Sequence, residues 1–354
     1  MRIGLMGGWN TDSGASLHAE LIGKEWVKDK HGLDVFTFYD YAFHGTNITG
    51  KDESYVTRCF TVSSYNPQKL DPLPFLTNSC EAFAVEDLGM LPKNELAKIF
   101  PRLKKKAVAV NIIHDAALSK DPSFYQFDWD ALTCFDERYK KFLVELYDPE
   151  KVHIIPYPCQ PLKKGDKEEK RKMLGLPLNK KIIFCFGPAS TLVTELVSSM
   201  AELKKDYPLL LLVTTKDKKG IEVFGKIKKS GIMDIELREE VPDINKLYDY
   251  LHASDLLLFN KKSLAPDWVV VSSTVFQCLG SGCPIVARDS TYADCLNKEI
   301  MKFSDTEEMK DSIRSVLDET KKFKETLDAA ERYVKKNSAR EVSRAYIKLF
   351  ESLK

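Results

Sequence analysis

Strand-length apolar runs alternate with helix-length segments, and the alternation occurs twice in series along 354 residues. In the first series Arg2–Met6, Val35–Tyr39, Ala82–Val85, Ala107–Ile113, Ala131–Phe135 and Val152–Ile155 read as strands. Segments near Ala15–Lys28, Asn94–Phe100 and Glu137–Tyr147 read as helices. Phe43–Pro74 shows no clear period and reads as short strands and loops. Buried strands spaced by helices predict a parallel sheet covered on both faces.

The nearly all-charged stretch Lys163–Lys172 interrupts the pattern and reads as a linker running into a solvated helix. A second series follows. Its expected strands are Ile182–Phe186, Leu209–Thr215, Asp234–Leu237, Leu256–Phe259 and Pro284–Ala287. Its expected helices are Leu192–Lys204, Ile221–Lys229, Ile244–His252 and Ser273–Leu279, with Glu307–Asn337 and Ala339–Leu353 long and helical. The fold class expected is α/β, two Rossmann-like doubly wound domains facing across a cleft. The boundaries are 1–158 for the first domain, 159–335 for the second and 336–354 for a last helix packing back on the first. Ligands of such sheets bind outside the carboxyl ends of the strands, which places the expected ligand in that cleft.

Composition removes several classes. Lys+Arg is 53 and Asp+Glu is 52, a formal net charge of +1, without the basic excess of a protein built to hold nucleic acid. No apolar run approaches the roughly 20 residues of a membrane helix, so no transmembrane segment is expected, and peripheral membrane contact stays open. Met1–Leu5 enters a strand with no signal-peptide layout, and a cytoplasmic location is expected. Eight cysteines form no C-x-x-C pair and read as buried thiols. The acceptor pattern Asn47-Ile48-Thr49 carries no meaning without a secretion signal. No H-E-x-x-H, Walker loop or G-x-S-x-G occurs, and no metal is implied.

The loop Gly7–Gly14 lacks the spacing of a dinucleotide fingerprint. Gly14 at a helix start lets backbone amides approach a diphosphate, and capping of that helix by Ser13 or Asp12 reads equally well. His18 lies one turn further in, as a structural group or an acceptor-site wall. His114 follows the apolar strand Ala107–Ile113, where a parallel sheet presents its site. Asp115 beside it could orient the ring or cap a helix. Ser272-Ser273-Thr274 precedes an apolar helix as an N-cap cluster whose amides could hold phosphate, or simply cap.

Several segments in order resemble one family. They are Ser13-Gly14-Ala15-Ser16-Leu17-His18, Asn111-Ile112-Ile113-His114-Asp115, Val152-His153-Ile154-Ile155-Pro156, Lys172–Pro177 with Ile182–Gly187, and Leu247–Phe259 with Val275–Ala287. The chain resembles the GT-B-fold retaining glycosyltransferases of the glycogen-synthase and bacterial-mannosyltransferase class, family 4-like, with degenerate donor-site motifs. The resemblance implies that His114 meets the sugar as the catalytic residue. It implies donor contacts from Ser13, Gly14, Gly187, Ser190, Ser272, Ser273, Thr274 and Gln277.

The sequence also departs from that family. Gln277 stands where a glutamate grips the ribose, and counting back to the first motif glutamate gives Val269. Asp267 could replace it only in a longer loop. Gly187–Val193 lacks the Arg and Lys that neutralise a departing diphosphate; Lys261 and Lys262 are the close basic candidates, with Arg288 more remote. The resulting expectation is transfer from a UDP-, GDP- or ADP-sugar co-substrate to a hydroxyl-bearing acceptor with retention, without another cofactor. A non-catalytic GT-B scaffold binding a sugar, nucleotide or protein is the alternative, and a sugar-nucleotide epimerase is a third reading allowed by fold.

Overall fold

The computed structural model describes residues 1–42, 48–263, 265 and 268–354. The chain divides into two compact units. The first is Met1–Pro158, Asp267–Ser273 and Ala339–Lys354; the second is Cys159–Pro266 and Thr274–Ser338.

The first unit holds β1 (Arg2–Met6), β2 (Gly32–Phe38), β3 (Val56–Phe60), β4 (Ala82–Glu86), β5 (Val108–Ile112), β6 (Ala131–Cys134) and β7 (Val152–Ile154). The order is β3-β2-β1-β4-β5-β6-β7, with every neighbouring pair parallel. β4 is buried at all five positions, as a strand covered on both faces requires. The first helix, Gly14–Lys28, is capped by Ser13, whose side chain accepts from Ser16 N. The last helix, Ala339–Ser352, belongs to this unit. Trp26 Nε1 donates to Ser343 O at 2.9 Å, and Tyr346 Oη lies 3.2 Å from Thr133 Oγ1.

The second unit holds β8 (Lys181–Phe186), β9 (Leu209–Thr214), β10 (Ile235–Arg238), β11 (Leu256–Phe259), β12 (Ile285–Arg288) and β13 (Met301–Phe303), ordered β10-β9-β8-β11-β12-β13 and parallel throughout. Its core gathers Ile183, Leu211, Val213, Phe224, Leu258 and Ile313. In each unit the winding reverses at one strand pair, β1/β4 in the first and β8/β11 in the second. The carboxyl ends of these pairs are the topological switch points of doubly wound sheets.

Three expectations change. Glu307–Asn337 is two helices, Thr306–Leu317 and Lys321–Lys336, because Glu319 turns left-handed (φ 49°) and Thr320 caps the second. Leu192–Lys204 begins instead as a 3-10 helix, Pro188–Leu196, and only Val197–Glu202 is α-helical. The edge strands β3 and β13 lie in segments that carry Arg58 and Lys302, which obscured them in the sequence.

Candidate functional site at the carboxyl ends of the strands

Glu86 is the last residue of β4, His114 stands two residues beyond β5, and His18 lies on the first helix. Glu86 Oε1 is 2.7 Å from His18 Nδ1, and Oε2 is 2.7 Å from His114 Nε2. Glu86 and His18 are fully buried, and the His114 side chain is 12% exposed. A carboxylate taken out of water costs several kcal/mol unless its oxygens are satisfied, and here each oxygen has its own imidazole. The room comes from Gly7, just past β1, where any Cβ would lie 2.6 Å from Glu86 Cβ.

The His18 ring is enclosed by Phe135, Tyr157 and Tyr346, with centroids 5.3, 5.3 and 5.9 Å away. Its Nε2 is buried with no hydrogen-bond partner. Burial is the largest influence on His18 and holds its pKa below the usual histidine value despite Glu86. Burial also opposes charge on His114, but the hydrogen bond and charge of Glu86, with Asp87 and Asp115, outweigh it and raise its pKa. Burial would raise Glu86; the two histidines hold it below the ordinary carboxyl range. Glu86 is thus favoured as the carboxylate, and of its two partners His114 is the ring more readily protonated and His18 the less.

Two further carboxyls flank His114. Asp87 has a left-handed backbone (φ 53°), and a methyl group on Gly89 would touch Oδ1 of both Asp115 and Asp87, at 3.0 and 3.3 Å. Asp115 is pushed up to about 6, by burial first and then by Asp87. Asp87 is raised chiefly by burial. Lys93 pairs with Asp121 at 3.6 Å and lies over the Phe124 ring. Glu86, not Asp115, holds the His114 ring, because Glu86 ends the adjacent strand with its side chain aimed at Nε2. Glu86 was not singled out in the sequence; an acidic pair, Glu86-Asp87, directly after a buried strand was the available signal. Among the described residues, His18, Glu86 and His114 are the group whose potential metal-binding atoms lie within 4.8 Å of one another. Glu86 gives a separate oxygen to each ring at hydrogen-bond distance, which is the geometry of a triad sharing protons.

In the second unit Gly187 follows β8 with φ 71°, the left-handed region that glycine adopts without strain. Ser190 is buried, and its Oγ has no partner. Ser190 and Thr274 line a small crevice with Phe186 and Asn260. Gln277 is half-buried on the helix Ser273–Leu279, and its main-chain carbonyl accepts from Tyr248 Oη at 2.8 Å. Ser272 is buried. In the first unit a Cβ on Gly14 would lie 3.1 Å from Ser273 Oγ, which brings those two residues together.

Two of the three basic candidates of the second unit, Lys262 and Arg288, meet one acid. Glu195 accepts from Lys262 Nζ at 2.8 Å, from Asn260 Nδ2 at 2.8 Å and from Arg288 Nη2 at 3.3 Å. Arg288 Nε also donates to Asn260 Oδ1 at 2.6 Å, so Arg288 shares the Lys262 network and is not remote from it. Lys262 first, then Asn260, keep the Glu195 pKa below its ordinary value. Lys261 lies over the Tyr292 ring at 4.0 Å. Lys216, two residues past β9, is exposed and was overlooked in the sequence.

No protein-family model matches the chain. Solved structures do. Sucrose-phosphate synthase from Thermosynechococcus elongatus superposes with a TM-score of 0.69 at 12% identity, over 99% of this chain and 98% of that one. A glycosyltransferase from Rickettsia africae gives 0.66 at 13% identity, over 99% and 98%. An E. coli trehalose-6-phosphate protein bound with UDP-2-fluoro glucose gives 0.61 at 10% identity, over 99% and 99%. The chain has the GT-B fold.

Val269, the position that counting back from Gln277 reaches, donates its amide to Ala116 O at 2.9 Å. Asp267, the suggested substitute, lies outside the described residues, as does Asn47 of the glycosylation pattern. Among the described residues, no helix of this GT-B chain is long and apolar enough to cross a membrane.

Proposed function

We propose that the chain is a glycosyltransferase that moves a sugar from a nucleotide-sugar donor to a hydroxyl acceptor with retention of configuration. The observation that carries this reading is the Glu86–His114 pair at the β1/β4 switch point of a GT-B chain. In this reading His114 donates a hydrogen bond to a sugar hydroxyl. Within the second unit, Gly187 and Thr274 offer an amide and a hydroxyl to the donor phosphates, and Gln277 meets the ribose. Lys216 and Lys261, which Glu195 does not engage, are offered as the basic side chains for the phosphates. Charge supplied to a departing diphosphate is worth several kcal/mol of barrier. Retention rests on the family resemblance.

Melting with a panel of UDP-, GDP- and ADP-sugars tests the proposal. One nucleotide series should stabilise the protein by about 2.7 kcal/mol at a hundredfold excess over its dissociation constant. Slow donor hydrolysis should then fall in His114→Ala. Neutralisation of Lys262 and Arg288 by Glu195 favours a second reading, a non-catalytic scaffold, and absence of any nucleotide effect would select it.

A further inference from the structure

We propose that Glu86 is a positioning residue that holds His114 as a two-proton donor, with Nε2–H committed to Glu86 and Nδ1–H presented to the ligand, while His18 stays neutral. This deepens the site reading above and rests on it for the identity of the ligand. A carboxylate only accepts hydrogen bonds, so both ring nitrogens facing Glu86 at 2.7 Å carry protons. The other nitrogen of His18, Nε2, is enclosed by aromatic rings without an acceptor, so a proton there would be an orphan donor. His18 is thus the Nδ1–H tautomer, and its role is to occupy Oε1 and leave Oε2 to His114.

A fully buried carboxylate calls for a paired positive charge, and of the two rings that touch Glu86 we assign it to His114, which is 12% exposed, because His18 is fully enclosed. The groups that face it are Glu86 on β4, Asp87 and Asp115 on the following loops and His18 on the first helix; Lys93 on the helix Lys93–Lys104 acts on the two aspartates, and Tyr346 on the last helix lies against His18. Three of these are carboxyls and one is a cation. Burial keeps Tyr346 protonated and uncharged. A ring so held cannot take a proton from an acceptor hydroxyl at the start of a reaction. It can donate to a hydroxyl or phosphate oxygen, so the ligand group that meets Nδ1 is an oxygen with free lone pairs.

The test is histidine-ring ¹⁵N NMR of the full chain from pH 5 to 9, with His114→Gln identifying the His114 signals. At pH 7.5 wild-type His114 should show two protonated nitrogens, and His18 one protonated and one bare. Glu86→Gln should lower the His114 midpoint by about one pH unit or more, a tenfold loss of proton affinity. Glu86→Asp should recover part of it. A neutral wild-type His114 at pH 7.5, or a midpoint unmoved in Glu86→Gln, overturns the proposal. The wild-type spectrum, assigned through His114→Gln, decides even if Glu86→Gln fails to fold. The readout is also independent of nucleotide binding: expected spectra with no nucleotide effect on melting would sink the glycosyltransferase reading alone.

Discussion

Gly7 and Glu86 are in contact across β1 and β4, with no space for a Cβ: one placed on Gly7 would lie 2.6 Å from Glu86 Cβ and 3.3 Å from its carbonyl oxygen. Gly7→Ala should therefore push the Glu86 backbone and misalign both imidazole bonds. The expected cost is about 1–3 kcal/mol, the scale of overpacking a buried site, read by urea unfolding. A Gly7→Ala protein as stable as wild type would show that β4 yields freely there.

Asp255 anchors a different part of the molecule. Its Oδ2 accepts from Arg171 Nη2 and Ile182 N, each at 2.7 Å, and Lys167 Nζ reaches Oδ1 at 2.8 Å. Arg171 and Asp255 are both buried, whereas the Lys167 side chain is half exposed. Asp255→Ala strands a buried guanidinium and should cost about 3–5 kcal/mol. Lys167→Ala should cost about 1 kcal/mol or less. Equal losses in the two variants would contradict this division.

Stability should depend on pH in opposite senses for neighbouring groups. Asp115, at about 6 in the folded chain against roughly 3.9 unfolded, penalises folding above pH 6 and is relieved as pH falls towards 4. Asp115→Asn should accordingly stabilise by about 1–2 kcal/mol at pH 7.5 and by little at pH 4.5. His114, raised, contributes fully below its unfolded value and loses that contribution as pH climbs through its folded one. His18 and Glu86, both lowered, contribute above their unfolded values and lose it as pH drops through their folded ones. Denaturation of wild type and Asp115→Asn at the two pH values checks the sign.

Glu195 restrains Lys262 and Arg288. If the second unit takes nucleotide phosphates, Glu195→Gln should tighten UDP or GDP binding about threefold, the scale of releasing exposed ion pairs. Calorimetry on the two proteins reads this directly, and weaker binding in the variant would mean that Glu195 orders the site rather than screening it.

The strands β1, β4, β8 and β11 were legible in the sequence because each is an apolar run of strand length, and burial on both faces leaves few other residue types; their pairing was not. His114 was legible for the same reason: a polar residue directly after such a run stands at the sheet's carboxyl edge. Glu86 was not, since an acid after a strand is ordinarily solvated, and only its burial beneath Gly7 makes it a partner for two rings. The break at Glu319 was hidden by charge spacing that suits one long helix as well as two.

By itself the sequence determined two parallel α/β units and the edge on which their polar residues fall, because period and burial are local properties of a chain. Only the tertiary structure decided which of those residues share protons and charge. His18, Glu86 and His114 lie up to 96 positions apart in the sequence, as do Glu195 and Arg288 nearly so. Whether a carboxylate meets two imidazoles, or one acid neutralises two cations, is set by packing at distances of about 3 Å, where desolvation and hydrogen bonding fix the charge each group carries.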